Sequence, residues 1–183
     1  MRGYFGIGVE GISKQMNVGA IMRTANAFGA SFVFTIDAVY AEREGGRSDT
    51  SDAQEHLPLH EYATLDDFRL PRGCALVGIE LIEDSVDLPS FRHPRQAAYV
   101  LGPERGALSP ALVARCDHVA KIPTRFCVNV GLAAAIVMYD RVLTLGRFPA
   151  RPLVPGGPLE TVPEHVHGKP VLRKMQGQEK VER

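Results

Sequence analysis

Asn17 and Arg23 are the polar groups with chemical reach on an otherwise small, mostly apolar stretch, Asn17-Val18-Gly19-Ala20-Ile21-Met22-Arg23-Thr24-Ala25-Asn26-Ala27-Phe28-Gly29. An arginine held on such a segment presents a planar guanidinium fork that can hold a phosphate or a developing oxyanion. A solvated helix arginine is the plainer alternative. A second constellation, Gly102-Pro103-Glu104-Arg105-Gly106, follows a short apolar run. Ligands of open α/β sheets collect just beyond the carboxyl ends of strands, and glycines there let a ligand approach the main chain. A simple strand-to-helix turn would use the same glycines. The third is Asn129, which follows Ile122-Pro123-Thr124-Arg125-Phe126-Cys127-Val128. It suits a helix N-cap and can still offer one amide face to a ligand.

Two further patterns compete for attention. Gly6-Ile7-Gly8-Val9-Glu10-Gly11 matches G-x-G-x-x-G, and Asp37 ends the next apolar run, where a ribose-binding acid of a nicotinamide-nucleotide oxidoreductase would stand. The context is poor, because five residues precede Gly6 and a helix opening at Gly11 would have to absorb Gly19. His165-Val166-His167 has no companion ligands nearby in sequence, so no metal site is expected.

These groups must be positioned by a chain of 183 residues, enough for one domain with a sizeable core. The spacing predicts strands over 4–9, 31–36, 56–62, 74–79, 97–101 and 118–122. Pro58 makes the third of these an edge or irregular strand. Helices are predicted over 17–28, with Asn17 as N-cap and Arg23 projecting from its first turns, over 109–115 behind Ser109-Pro110, and over 129–145. Ile21, Ala25 and Phe28 should face the core, and Thr64 caps a short turn. Short apolar strands alternating with helices imply an α/β fold: a single parallel-sheet domain flanked by helices. The domain should span 1–148, and the proline- and glycine-rich stretch 149–183 should be an extended or disordered tail.

Composition narrows the class further. Cys74, Cys116 and Cys127 form neither a CxxC pair nor a disulfide framework, and no apolar run approaches the ~20 residues of a membrane span. The N-terminal residues lack a signal peptide's pattern, so a cytoplasmic location is expected. Net charge is zero, with 15 Lys and Arg against 17 Asp and Glu up to residue 150, and 6 against 4 after it. Bulk charge therefore does not mark a nucleic-acid binder, although Arg43, Arg47, Arg92 and Arg95 could gather from two loops into a phosphate-binding face. A non-enzymatic RNA-binding module would want aromatic platforms, and the chain has no Trp and few clustered aromatics.

Taken in order, the Asn17 stretch, the run from Tyr99 to Ser109 and the run from Lys121 to Ala135 resemble the three motifs of the SpoU/TrmH-type RNA ribose methyltransferases of the SPOUT class. The resemblance implies a C-terminal trefoil knot, a homodimer, and S-adenosylmethionine as cofactor. It implies transfer of a methyl group to a ribose 2′-hydroxyl of RNA, with tRNA the first expectation and rRNA the second. It assigns Arg23, Asn17 and Glu104 to catalysis, with Glu104 orienting Asn17 or Arg23. Arg23 would act either as base or by stabilising the developing alkoxide, and its helix would face the other copy's cofactor pocket. Leu81, Leu101, Gly102, Gly106, Ile122, Val128 and Asn129 would bind the cofactor. Cys127 stands where the family usually has serine, and a thiol is a weaker hydrogen-bond donor.

Overall fold

The computed structural model describes residues 3–39, 57–149, 151–152 and 155–157. Arg43, Arg47, His165 and His167 lie outside the described residues, as does almost all of the expected tail. The chain divides into two compact units, Met1–Gly146 and Arg147–Arg183, and everything below concerns the first.

Among the described residues, seven strands form one parallel sheet: β1 (Tyr4–Glu10), β2 (Phe32–Ile36), β3 (Leu59–Tyr62), β4 (Ala75–Ile79), β5 (Val86–Asp87), β6 (Gln96–Leu101) and β7 (His118–Lys121). Their spatial order is β3-β2-β1-β6-β4-β7-β5. The first three strands run outward from β1 to one side, and the later strands build the other side, so the order reverses at β1 and β6. All neighbours pair in parallel, so every carboxyl end opens on the same edge. Among the described residues, three α-helices accompany them: α1 (Gln15–Ala27), α2 (Pro110–Val113) and α3 (Val130–Leu145).

The pleat sorts the core into two layers. Phe5, Ile7, Val9, Ala97, Tyr99 and Leu101 pack on one face with Ile21, Met22, Ala25, Ala134, Val137 and Met138 of α1 and α3. Ala98 and Val100 turn to the other face, with Phe34, Ile36, Phe68, Leu76, Leu108 and Leu112. Burial on both faces explains why these strands read as apolar runs without alternation. Gly6 and Gly8 lie inside β1 opposite Phe32 and Phe34, and a Cβ on either would overlap those rings. They are packing glycines within a strand, so the dinucleotide fingerprint has no phosphate loop here.

Several boundaries differ from expectation. Helix α1 begins at Gln15 with Lys14 at its N-cap, and no side chain caps it. Asn17 is therefore not the cap but the third helical residue, and Arg23 falls in the third turn. Strand β3 starts at Leu59, just past Pro58, and helix α2 ends at Val113. Strand β5 and the 3-10 turn Leu88–Ser90 were not foreseen. Arg92 and Arg95 precede β6, at the amino ends of the strands, so they do not share a face with the loops at the carboxyl ends.

Candidate active site

The loops leaving β4, β6 and β7 surround a cavity of about 380 Å³ at the carboxyl edge of the sheet. Its wall is built from Ile79, Glu80 and Leu81 after β4, Leu101 to Gly106 after β6, and Ile122, Thr124 and Cys127 to Val130 after β7. Lys14 and Ala133 complete it. All seven residues expected at the cofactor (Leu81, Leu101, Gly102, Gly106, Ile122, Val128 and Asn129) line this one space.

Backbone shape makes the cavity possible. A Cβ at Gly102 would stand 2.9 Å from the Leu108 nitrogen, so only glycine lets the loop fold back so tightly. Gly106 holds φ +145°, a conformation that side chains rarely adopt. Two acids then fasten the loop from either side. Glu10, at the end of β1, accepts the Ser109 N–H at 2.7 Å and its hydroxyl at 2.5 Å. Ser109 in turn caps α2 through Leu112 N–H. Glu80 accepts the Leu108 N–H at 2.7 Å and the Leu81 N–H at 2.8 Å. Sequence reasoning missed both anchors. Their signal was an acid directly at the end of an apolar strand.

The three polar residues meet beside this wall. Asn17, buried on α1, donates its side-chain N–H to Glu104 Oε1 at 2.7 Å. The Asn129 amide donates to Asn17 Oδ1 at 3.5 Å, while Asn129 Oδ1 accepts the Gly131 N–H at 2.9 Å and caps α3. A carboxylate only accepts, so Glu104 fixes which way both amides face. Ser13 donates its N–H at 3.1 Å and its hydroxyl at 3.0 Å to Glu104 Oε2. Burial alone would raise the Glu104 carboxyl. The donors from Asn17 and Ser13 outweigh it and hold the group below the ordinary carboxylate range.

Arg23 is elsewhere. It is exposed, it does not line the cavity, and it stands six residues beyond Asn17 on α1. That spacing is roughly 9 Å along the axis and about a third of a turn around it from Asn17. The structure thus brings Asn17, Glu104 and Asn129 together and keeps Arg23 off this chain's own cavity wall.

A sheet of this order, with a cavity between three loops at its carboxyl edge, defines an open parallel α/β fold whose concavity lies where ligands of such sheets collect. Residues 5–139 match the SpoU rRNA Methylase family, and the chain belongs to that family. The tRNA (guanosine(18)-2′-O)-methyltransferase of Mus musculus is 25% identical over 137 residues, which are 70% of this chain and 9% of that protein. The 23S rRNA (guanosine-2′-O-)-methyltransferase of Coxiella burnetii is 30% identical over 143 residues, covering 72% and 55%. The chain therefore spans at most about half the length of these curated relatives. The AdoMet-bound rRNA methyltransferase from Sinorhizobium meliloti shares the fold with a TM-score of 0.70 at 21% identity, over 79% of this chain and 58% of that one.

Proposed function

We propose that this chain is an S-adenosylmethionine-dependent RNA ribose 2′-O-methyltransferase, with tRNA as the first substrate class to test and rRNA as the second. The observation that carries the reading is the Asn129–Asn17–Glu104 chain of hydrogen bonds, which joins all three motifs beside one cavity. The cavity volume falls in the range of small-molecule sites, and its wall, shaped by Gly102 and Gly106, suits an adenine gripped by backbone groups. The names of the mouse and Coxiella relatives support ribose methylation of tRNA or rRNA.

When bound, S-adenosylmethionine supplies a methyl group already activated by its sulfonium charge. The protein's task is then to align the ribose and to manage the 2′-hydroxyl proton. Glu104 is a poor acceptor for that proton, because the three donors from Asn17 and Ser13 stabilise its charged form and hold its carboxyl below the ordinary range. It is a positioning residue that fixes Asn17 and, through it, Asn129. Arg23 stabilises the developing alkoxide, since a guanidinium holds its proton too firmly to serve as a base. The proton leaves to phosphate or water.

Arg23 reaches a cavity when two copies pair, each supplying the arginine for the other. An exposed apolar stripe supports this pairing: Leu132, Ile136 and Tyr139 on α3, with Met16, 71% exposed, on the neighbouring α1. The trefoil threading belongs to the same reading. It is supported by β7, which is inserted between β4 and β5 although it follows both in sequence. Three free thiols suit a reducing, cytoplasmic setting, and among the described residues no helix is long and apolar enough to cross a membrane. Calorimetry tests the cofactor directly: S-adenosylmethionine and S-adenosylhomocysteine bind and NADH does not. Binding of NADH alone would overturn the proposal.

A further inference from the structure

The short loop between β7 and α3 holds a feature that the cofactor cavity does not use. Phe126 is 82% exposed, the most exposed large apolar side chain among the described residues. It is not a loose excursion. The Thr124 hydroxyl donates to the Phe126 carbonyl at 2.8 Å, and the Thr124 N–H donates to the Ile122 carbonyl at 2.7 Å, so the turn that presents the ring is stapled from within. Its neighbours Thr124 and Cys127 line the cavity, which puts Phe126 on the rim. Arg125 beside it is exposed, and Arg105 brings a second exposed cation to the cavity wall from the β6 loop.

We infer that Phe126 is the stacking platform for an unpaired base of the substrate RNA, with Arg125 and Arg105 meeting the adjoining phosphates. The inference rests on the proposed ribose methylation. A nucleotide whose 2′-oxygen enters the cavity carries its base on the adjacent ribose carbon, three bonds from that oxygen, which brings the base to the rim. An exposed aromatic flanked by cations is the means by which proteins hold single-stranded RNA, because every base has a π-face. A second protein copy fits this position less well. The apolar stripe suited to it runs along α1 and α3, whereas Phe126 stands on a loop beside charge.

The chain contains no Trp, so Phe126→Trp creates a sole tryptophan at the rim, excited apart from the tyrosines. Its emission is expected to be quenched by RNA with unpaired nucleotides and left unchanged by a perfect RNA duplex. Phe126→Ala should raise the KM for RNA about 10-fold or more, the size of one base–aromatic stack, while Phe126→Trp keeps it near wild type. Affinity for S-adenosylhomocysteine and the mass by light scattering should not move in either variant. Unchanged KM in Phe126→Ala together with unquenched Phe126→Trp would overturn the inference. A changed mass would make Phe126 a subunit contact, and a changed cofactor affinity would make it a cofactor cover; either result also overturns it. A wild-type protein that methylates no RNA would instead sink the proposed function, and the fluorescence would still report whether RNA stacks.

Discussion

Arg23→Ala removes the guanidinium proposed to meet the developing alkoxide and leaves every cavity-lining residue in place. The methyl-transfer rate should fall on the order of 10²-fold or more, with S-adenosylhomocysteine affinity nearly constant by calorimetry. Arg23→Lys should recover little, because a point charge does not reproduce the planar fork. Glu104 makes a different prediction, through pH. Its native carboxyl lies below the ordinary range, so the deprotonated form is the one that the fold favours. The stability it contributes is complete above the unfolded carboxylate value of about 4.3 and is lost as pH falls through the lower native value. Protonation also places an O–H among the donors of Asn17 and Ser13. Cofactor affinity should therefore hold from pH 7 down to the ordinary carboxylate value and drop only below it, as pH falls through the lower native value, and Glu104→Gln should start weaker and show less of that drop.

At the scale of elements, α3 is tied to the sheet by a buried polar chain at the end opposite the cavity. Arg141, fully buried, donates to the carbonyls of Pro94 at 2.6 Å and Arg95 at 2.8 Å and to the Tyr99 hydroxyl at 2.9 Å. Because Tyr99 accepts from Arg141, its own O–H is free to donate to His93 Nδ1 at 2.6 Å. His93 Nε2–H then donates to Asp140 on α3 at 2.9 Å. Burial pushes the Tyr99 hydroxyl up to about 12, which keeps it a donor, and burial also lowers His93. Arg141→Met would strand these acceptors, at about 1–3 kcal/mol for each one left buried and unpaired, read from urea midpoints. The His93 sign is clear as well: the native ring is neutral, so the unfolded chain binds the extra proton. Stability is full above the unfolded value near 6.5 and falls as pH drops below it. A melting temperature lower at pH 5.5 than at 7.5, with a smaller difference in His93→Gln, would bear this out. None of this chain was legible in the sequence, because, His93–Tyr99 aside, its links join residues 42 to 47 positions apart. The apolar strands, the Ser109 and Asn129 caps and the glycine loop were legible, since periodicity and cap chemistry are local. Asn17 misled for the same local reason. Cap rules look for a capping side chain, and α1 starts behind Lys14 without one, freeing Asn17 to bond Glu104, 87 residues away.

For the whole molecule, the proposed site is complete only in a pair of copies, since Arg23 does not line this chain's own cavity. Light scattering should give twice the 20.0 kDa chain mass, and Leu132→Glu, placing a charge in the exposed apolar stripe, should shift it toward the monomer. A sharper consequence is complementation. Arg23→Ala retains an intact cavity, while Gly102→Val crowds the Leu108 nitrogen and damages the cavity but retains Arg23. Mixed after dissociation and reassociation, two inactive variants should regain part of the activity, because each hybrid dimer holds one complete site. A mixture that stays inactive, with hybrid dimers demonstrated by mass, would return Arg23 to its own subunit. The central claim is the atom that receives the methyl group. Purified protein incubated with S-adenosylmethionine and unmodified total tRNA or rRNA, followed by digestion and nucleoside mass analysis, is predicted to yield a 2′-O-methylated ribose. A methyl group found on a base, or no methylated nucleoside despite demonstrated cofactor binding, would contradict it.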